Sequence, residues 1–289
     1  MPSSFLSECK QKVLNRIESL LVNKDQITSS MRYSALADSK CIRAGLVFAS
    51  GKLEGQLDEV GLTDIATSIE LMHSYSLIHD DLPAMDDDGM RRGQPSNHVK
   101  FNEATAILAG DALQALAFET IASSKSITDA HKVEAVRMLA AACGHQGMVL
   151  GQQYDLDAEK NELLDIELIH SLKTAKLIQV ALTMPYLGNE MHKKTQVLLD
   201  SLGGKIGLAF QIMDDVLEVS SDTVTLGKSN LSDITNKKMT YVSVYGLEAS
   251  IQKAEALSHF CIEQIQENFE IEKTRELIEL MHLMISRSN

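Results

Sequence analysis

Residues 1–21 read MPSSFLSECKQKVLNRIESLL, in which Phe5, Leu6, Val13, Leu14, Ile17, Leu20 and Leu21 keep an i, i+3/i+4 rhythm. That spacing gathers the apolar groups on one face of a helix. The rhythm continues outward through windows at roughly 30–51, 62–82, 102–124, 129–150, 162–187, 193–219, 239–268 and 273–286. Clear period-2 alternation is missing. Only four prolines, no tryptophan and 4% aromatic residues argue against a β-sandwich or barrel and leave room for long helices. Asp86–His98, Tyr154–Glu162 and Ser220–Lys237 are rich in Gly, Asn, Ser or acids and read as loops and caps. No Pro/Gly/Ser linker and no repeat marks a boundary, so a single all-α domain over 1–289 is expected.

Composition narrows the partners. Forty Asp and Glu oppose 27 Lys and Arg, a net charge of −13, so a broad nucleic-acid surface is not expected. Small anions are still admissible through local cations or through metal ions held by the acids. Cys9, Cys41, Cys143 and Cys261 form no CxxC pair, which favours reduced cytoplasmic thiols over a disulfide scaffold or a zinc site. The N-terminal stretch is charged and lacks a signal-peptide core. The apolar run Ala104–Ala117 carries Asp111, so no stable membrane anchor is expected.

Two acidic clusters carry the chemistry. In the first, Asp80, Asp81, Asp86, Asp87 and Asp88 fall within nine residues and Arg91 and Arg92 follow at once. Such crowding is unfavourable unless cations neutralise it, and hard oxygen ligands suit Mg²⁺. On an unbroken helix Asp86 lies about 240° round from Asp80. Pro83 should bend the chain and swing Asp86 back toward Asp80. The competing reading is a solvated acidic loop at a helix C-terminus, an end that disfavours carboxylates. In the second cluster, Glu218, Gln211 and Asp215 lie at about 40°, 60° and 100° from Asp214, all to one side. Alone, that face reads as merely solvated. Two clusters about 130 residues apart instead suit Mg²⁺ ions clamped on one diphosphate.

The stretch from His73 to Gly93, with Asp80-Asp-Leu-Pro-Ala-Met-Asp86 at its centre, resembles the first aspartate-rich motif of short-chain trans-isoprenyl diphosphate synthases of bacterial type. Further matches keep the family order: Asn97-His-Val-Lys-Phe, Ala106-Ile-Leu-Ala-Gly-Asp-Ala-Leu, Lys173-Thr174, Gly207-Leu-Ala-Phe-Gln-Ile-Met-Asp-Asp and Thr225-Leu-Gly-Lys228. The resemblance implies a helical bundle around a deep apolar cavity, with both acidic clusters at its mouth. It also implies ionisation of an allylic diphosphate, attack by the double bond of isopentenyl diphosphate, and loss of a proton. In this family the released diphosphate is the favoured proton acceptor.

Carried over, Asp80, Asp86 and Asp214 hold three Mg²⁺ ions on the leaving diphosphate, with Asp81 and Asp215 in support. Arg91, Lys173 and Lys228 contact the same diphosphate, and Thr174 and Gln211 offer neutral oxygens near the developing cation. Isopentenyl diphosphate falls to Lys40, Arg43, His73 and Arg92. Tyr75, five residues before Asp80, would form the floor of the cavity and favour a fifteen-carbon product. By itself Tyr75 reads equally well as core. A homodimer is expected from the family.

Three departures stand out. The family's GGKRLRP segment is here Asp38-Ser39-Lys40-Cys41-Ile42-Arg43-Ala44, which sets an aspartate beside an anion pocket. Ala175 replaces a glycine, and Glu218 the last aspartate of the second motif. Rival readings are a geranyl- or geranylgeranyl-forming relative, a terpene cyclase and a non-catalytic regulatory partner. Asp214-Asp215 disfavours the cyclase, and the lack of a sustained heptad disfavours a coiled coil.

Overall fold

The computed structural model describes residues 4–158, 165–188, 192–225 and 239–286, with side chains described to residue 219 in the third of these segments. Among the described residues it is all-α apart from one two-stranded hairpin, and the chain divides into two compact units. One comprises Met1–Leu139 and Ala181–Lys193, the other Ala140–Val180 and Lys194–Asn289.

In the first unit, α1 (Ser4–Leu20), α2 (Gln26–Ala35), α3 (Ile42–Glu54) and α6 (Glu103–Ala122) surround α4 (Glu59–Asp80), and the single-turn α5 (Asn97–Lys100) packs on α6. Helix α4 is buried on nearly every side, as the sequence of a central helix demands. Ile65, Ile69, Leu71 and Met72 are fully enclosed, each stabilising the fold by about 2 kcal/mol. Two of its buried polar groups show how they are answered. Asp64 receives Arg16 Nε at 2.9 Å, and Ser68 Oγ donates to the Ala117 carbonyl at 2.6 Å. Helix starts follow the side-chain code: Asp25, Asp58 and Asn102 each accept the N–H three residues on, at 2.8 Å. By length and composition α6 is, among the described residues, the one helix that qualifies to cross a membrane. Here its Leu113, Ala117 and Ile121 are buried, and it packs on α4.

The sequence reading needs several corrections, one at Gly246, whose φ of 83° divides the 239–268 window into helices at Tyr241–Tyr245 and Leu247–Asn268. The 30–51 window breaks at 36–41, between α2 and α3, where Cys41 takes a left-handed φ of 49°. Glycines 144 and 147 interrupt the next, giving α7 (Asp129–Cys143) and α8 (Met148–Ala158). Helix α8 therefore claims residues 154–158 from the expected loop. The acidic loop also contains a hairpin, β1 (Met90–Arg91) with β2 (Gln94–Pro95), turning through Arg92 and Gly93 at φ 53° and 75°. Too short for alternation to register, it depends on a turn with both central residues at positive φ.

In the second unit, α9 (Ile166–His170) runs through a π-helical turn, Ser171–Ala175, into α10 (Lys176–Thr183). Helices α11 (Lys193–Thr225), α12 (Tyr241–Tyr245), α13 (Leu247–Asn268) and α14 (Ile271–Ile285) complete it. Ile166, Ile169, Leu208, Ala209, Ile212 and Tyr241 form one of its apolar clusters. All four cysteines are buried and unpaired.

Candidate active site

Helix α4 ends where the first acidic cluster begins. Beyond Asp80 the chain turns at Pro83, and the Asp86 N–H donates to the Asp80 carbonyl at 2.9 Å. The bend expected from proline therefore forms, and it brings the Asp86 backbone back to Asp80. Both residues are half-buried, whereas Asp87 and Asp88 are exposed. Asp81 is different: it is 2% exposed and receives Arg91 through Nε at 2.9 Å and through Nη2. Arg91 also reaches Asp88 at 3.0 Å. A cleft beside α4 is lined by Ser34, Ser74, Asp81, Arg91 and Arg92.

The start of α3 lies alongside α4. Arg43 Nη1 is 3.2 Å from His73 Nε2, and the Ala44 N–H donates to Glu70 at 3.0 Å. Burial, with the guanidiniums of Arg43, Arg92 and Arg91, holds His73 well below the ordinary imidazole range. Its ring is therefore neutral and accepts from Arg43. Burial raises the Glu70 carboxyl, against the pull of Arg43 and the Ala44 N–H. Glu70 was missed in the sequence, although it lies three residues before His73 on the same helix face. Lys40 is exposed on the loop before α3. Tyr75 is 8% exposed and meets His79 edge to face, with centroids 5.1 Å apart. Gly110 of α6 leaves room for that histidine, since a Cβ there would come within 2.2 Å of His79 Nε2.

The altered loop carries its own counterion. Lys10 of α1 lies 2.5 Å from Asp38 and holds that carboxyl below the usual range, with Arg92 adding to the effect. On the expectation that this loop serves the isopentenyl diphosphate pocket, Lys10→Ala should unmask Asp38 and raise KM for that substrate about two- to fivefold, the scale of an exposed ion pair. Lys10→Ala/Asp38→Asn should restore it. Steady-state kinetics of the two variants checks both.

In the second unit, Lys173 and Thr174 sit on the π-helical turn, a feature frequent at functional sites. A Cβ at Gly151 would come within 2.2 Å of the Lys173 backbone nitrogen, so glycine lets α8 lie against the widened turn. Lys173 Nζ donates to the buried Asp155 at 2.7 Å. Asp155 escaped notice because it fell in the stretch read as loop. Thr174 Oγ1 donates to Gln211 Oε1 at 2.8 Å. Asp214 is half-buried and Glu218 exposed, but Asp215 is 5% exposed and points inward. The second cluster therefore does not present all its acids to one side, because about 100° between successive residues is enough to turn Asp215 into the core. Lys228 lies outside the described residues.

The donor chemistry fits Mg²⁺. No group of three or more potential ligands converges among the described residues. Mg²⁺ characteristically binds one or two carboxylates and fills its shell with water and substrate phosphates. Asp80 and Asp86 are half-buried at a helix end and offer such a pair.

Helices carrying an acid-rich segment and cations in each unit place the protein in the isoprenoid synthase fold class. The polyprenyl synthetase family model matches residues 24–281, and the chain belongs to that family. It is 42% identical over 257 residues to the farnesyl diphosphate synthase of Escherichia coli, covering 87% of this chain and 86% of that protein. It is 39% identical over 271 residues to geranylgeranyl pyrophosphate synthase 12, chloroplastic, of Arabidopsis thaliana, covering 91% and 74%. The solved geranyltransferase of Legionella pneumophila superposes with a TM-score of 0.87 at 33% identity, covering 99% and 97%. Membership makes the chain a prenyltransferase and implies isoprenyl diphosphate substrates and a divalent-metal requirement.

Proposed function

We propose that the chain condenses isopentenyl diphosphate head to tail with dimethylallyl or geranyl diphosphate, giving farnesyl diphosphate and releasing diphosphate. The observation that carries this reading is the fold-back at Pro83. It returns the Asp86 backbone to Asp80 at the end of a buried helix, in a chain of the polyprenyl synthetase family.

The hard step is cleavage of the allylic C1–O bond, which separates a diphosphate anion from a carbocation, so stabilisation is electrostatic. Asp80, Asp86 and Asp214 would hold three Mg²⁺ ions, which supply Lewis-acid charge on the leaving diphosphate. Arg91, Lys173 and Lys228 add direct contacts to it. Asp155 holds Lys173 by its ammonium at 2.7 Å, which lowers the freedom lost when the lysine meets an anion. The Thr174 hydroxyl is committed as donor to Gln211, so its lone pairs are left for the developing cation. Full charges there would trap the cation; neutral oxygens do not.

Lys40, Arg43, His73 and Arg92 would take the diphosphate of isopentenyl diphosphate. A neutral His73 suits this, because it orients Arg43 without adding charge of its own. The π-bond then attacks C1, and a proton leaves to the released diphosphate. The two units are taken as one functional domain over 1–289, working as a cytoplasmic homodimer; sedimentation at micromolar concentration tests the dimer.

The deciding assay uses Mg²⁺, radiolabelled isopentenyl diphosphate and either primer, with products separated by chain length. A dominant fifteen-carbon product is expected. A second reading, a twenty-carbon product, draws on the similarity to the Arabidopsis relative. No product from a folded protein that still binds diphosphate would point to a regulatory partner.

A further inference from the structure

We propose that Asp215, the second aspartate of the α11 pair, is a positioning residue whose carboxylate braces α9, α11 and α12 and thereby sets Asp214, Gln211 and Thr174. This role rests on the catalytic roles proposed for those three.

Adjacent residues on a helix point about 100° apart, so an aspartate pair cannot offer both carboxylates to one ion from the same face. Asp214 is half-buried. Asp215, at 5% exposure, is taken up inside the unit. Its Oδ2 accepts the Tyr241 N–H at 2.6 Å and lies 3.0 Å from Nε2 of the buried His170. Its Oδ1 receives Gln211 Nε2 at 3.4 Å. The His170 ring stacks on Tyr241, with centroids 6.4 Å apart, and the Tyr241 hydroxyl donates to Glu167 at 2.8 Å. One buried carboxylate therefore joins three helices.

The positions joined are the ones that matter. His170 precedes the π-helical turn that carries Lys173 and Thr174. Gln211, which answers Thr174 at 2.8 Å, lies one helical turn before Asp215. A hydrogen-bonded chain thus runs Thr174–Gln211–Asp215–His170, closing on the helix pair from which it starts. Removing Asp215 frees the rotation of α11 against the turn. The first acidic pair divides its labour in the same way: Asp80 is half-buried, while Asp81 is 2% exposed and engaged by Arg91.

The experiment compares Asp215→Asn, Asp215→Ala and His170→Ala. For a brace, shape outweighs charge. Asparagine with its oxygen in the place of Oδ2 keeps the acceptor for both the Tyr241 N–H and His170, and gives up only the long acceptance from Gln211 at 3.4 Å. Asp215→Ala should lower kcat about 10- to 100-fold, the scale for groups supporting a ligand. KM for isopentenyl diphosphate should stay within about twofold, because that subsite is untouched. Asp215→Asn should recover kcat to within about fivefold of the parent, with an unchanged Mg²⁺ half-saturation.

A second readout needs neither metal nor turnover. In metal-free protein, the melting shifts of His170→Ala and Asp215→Ala should be less than additive in the double variant, since each breaks the same contact. Additive shifts, or an Asn variant as damaged as Ala with a raised Mg²⁺ half-saturation, would overturn the brace. If Asp215→Ala does not fold, Asp215→Asn and His170→Ala carry the comparison. Near-normal turnover of Asp214→Ala would instead remove the catalytic reading while the metal-free coupling still reported on the brace.

Discussion

Asp214→Ala is expected to lower kcat by about three orders of magnitude, or on the order of 4 kcal/mol of transition-state stabilisation, while leaving the protein folded. Burial decides what the substitution removes. Asp214 is half-buried on a long helix, so truncation takes away little packing. What is lost is charge where the proposed mechanism separates an anion from a carbocation. Asp80→Ala should behave alike, since the proposed mechanism gives Asp80 the same metal-holding role. Raising Mg²⁺ should recover only part of the loss, because concentration restores occupancy and not the position of the ion. Asp87→Gly is the control: Asp87 is exposed with φ at 52°, a conformation glycine adopts without strain, so kcat should change by less than about twofold. Circular dichroism and steady-state kinetics on the three variants decide it. Turnover of Asp214→Ala or Asp80→Ala near the parent value would remove the metal assignment.

Legibility in the sequence followed the reach of the forces involved. Helix periodicity exposed most of the all-α fold, since each apolar face is a local pattern of a few turns. The bend at Pro83 was equally legible, because proline's missing N–H and ring clash act within one turn. The breaks at 36–41 and 144–147 were not. Apolar spacing resumes directly after both, and only the short polar stretches Asp38-Ser-Lys40 and Gly144-His-Gln-Gly147 mark them. The hairpin behind Arg91 and Arg92 hid for another reason, being two residues long on each side. Among site residues, Glu70 was within reach of helical spacing alone, one turn before His73 on the same face. Asp155, Lys10 and the Tyr241 N–H gain meaning only through partners 18, 28 and 26 residues away. The inward turn of Asp215 could have been found from helical angle alone, had about 100° been weighed as too wide for one face.

The floor of the proposed cavity gives the other large effect. Tyr75→Ala should shift the product from fifteen carbons toward twenty or more. Five residues separate Tyr75 from Asp80, a rise of about 7.5 Å along α4, so the ring lies roughly one and a half turns below the acidic helix end. At 8% exposure it is enclosed, with the His79 ring edge-on at 5.1 Å. Truncation removes a buried aromatic and should cost about 3 kcal/mol of stability, so a lowered melting temperature is expected as well. That cost separates the two roles Tyr75 can fill. Tyr75→Phe keeps the ring and should keep the fifteen-carbon product, whereas Tyr75→Leu removes the ring and should give intermediate lengths with a smaller melting shift. If product length tracks side-chain volume across the three variants while stability varies separately, the ring is a plug in the path of the growing chain. If all three give the parent profile and only the melting temperature moves, Tyr75 is core and the floor lies elsewhere. A parent enzyme that already makes twenty carbons would likewise place the floor elsewhere, because a plug at this depth leaves no room for the fourth isoprene unit.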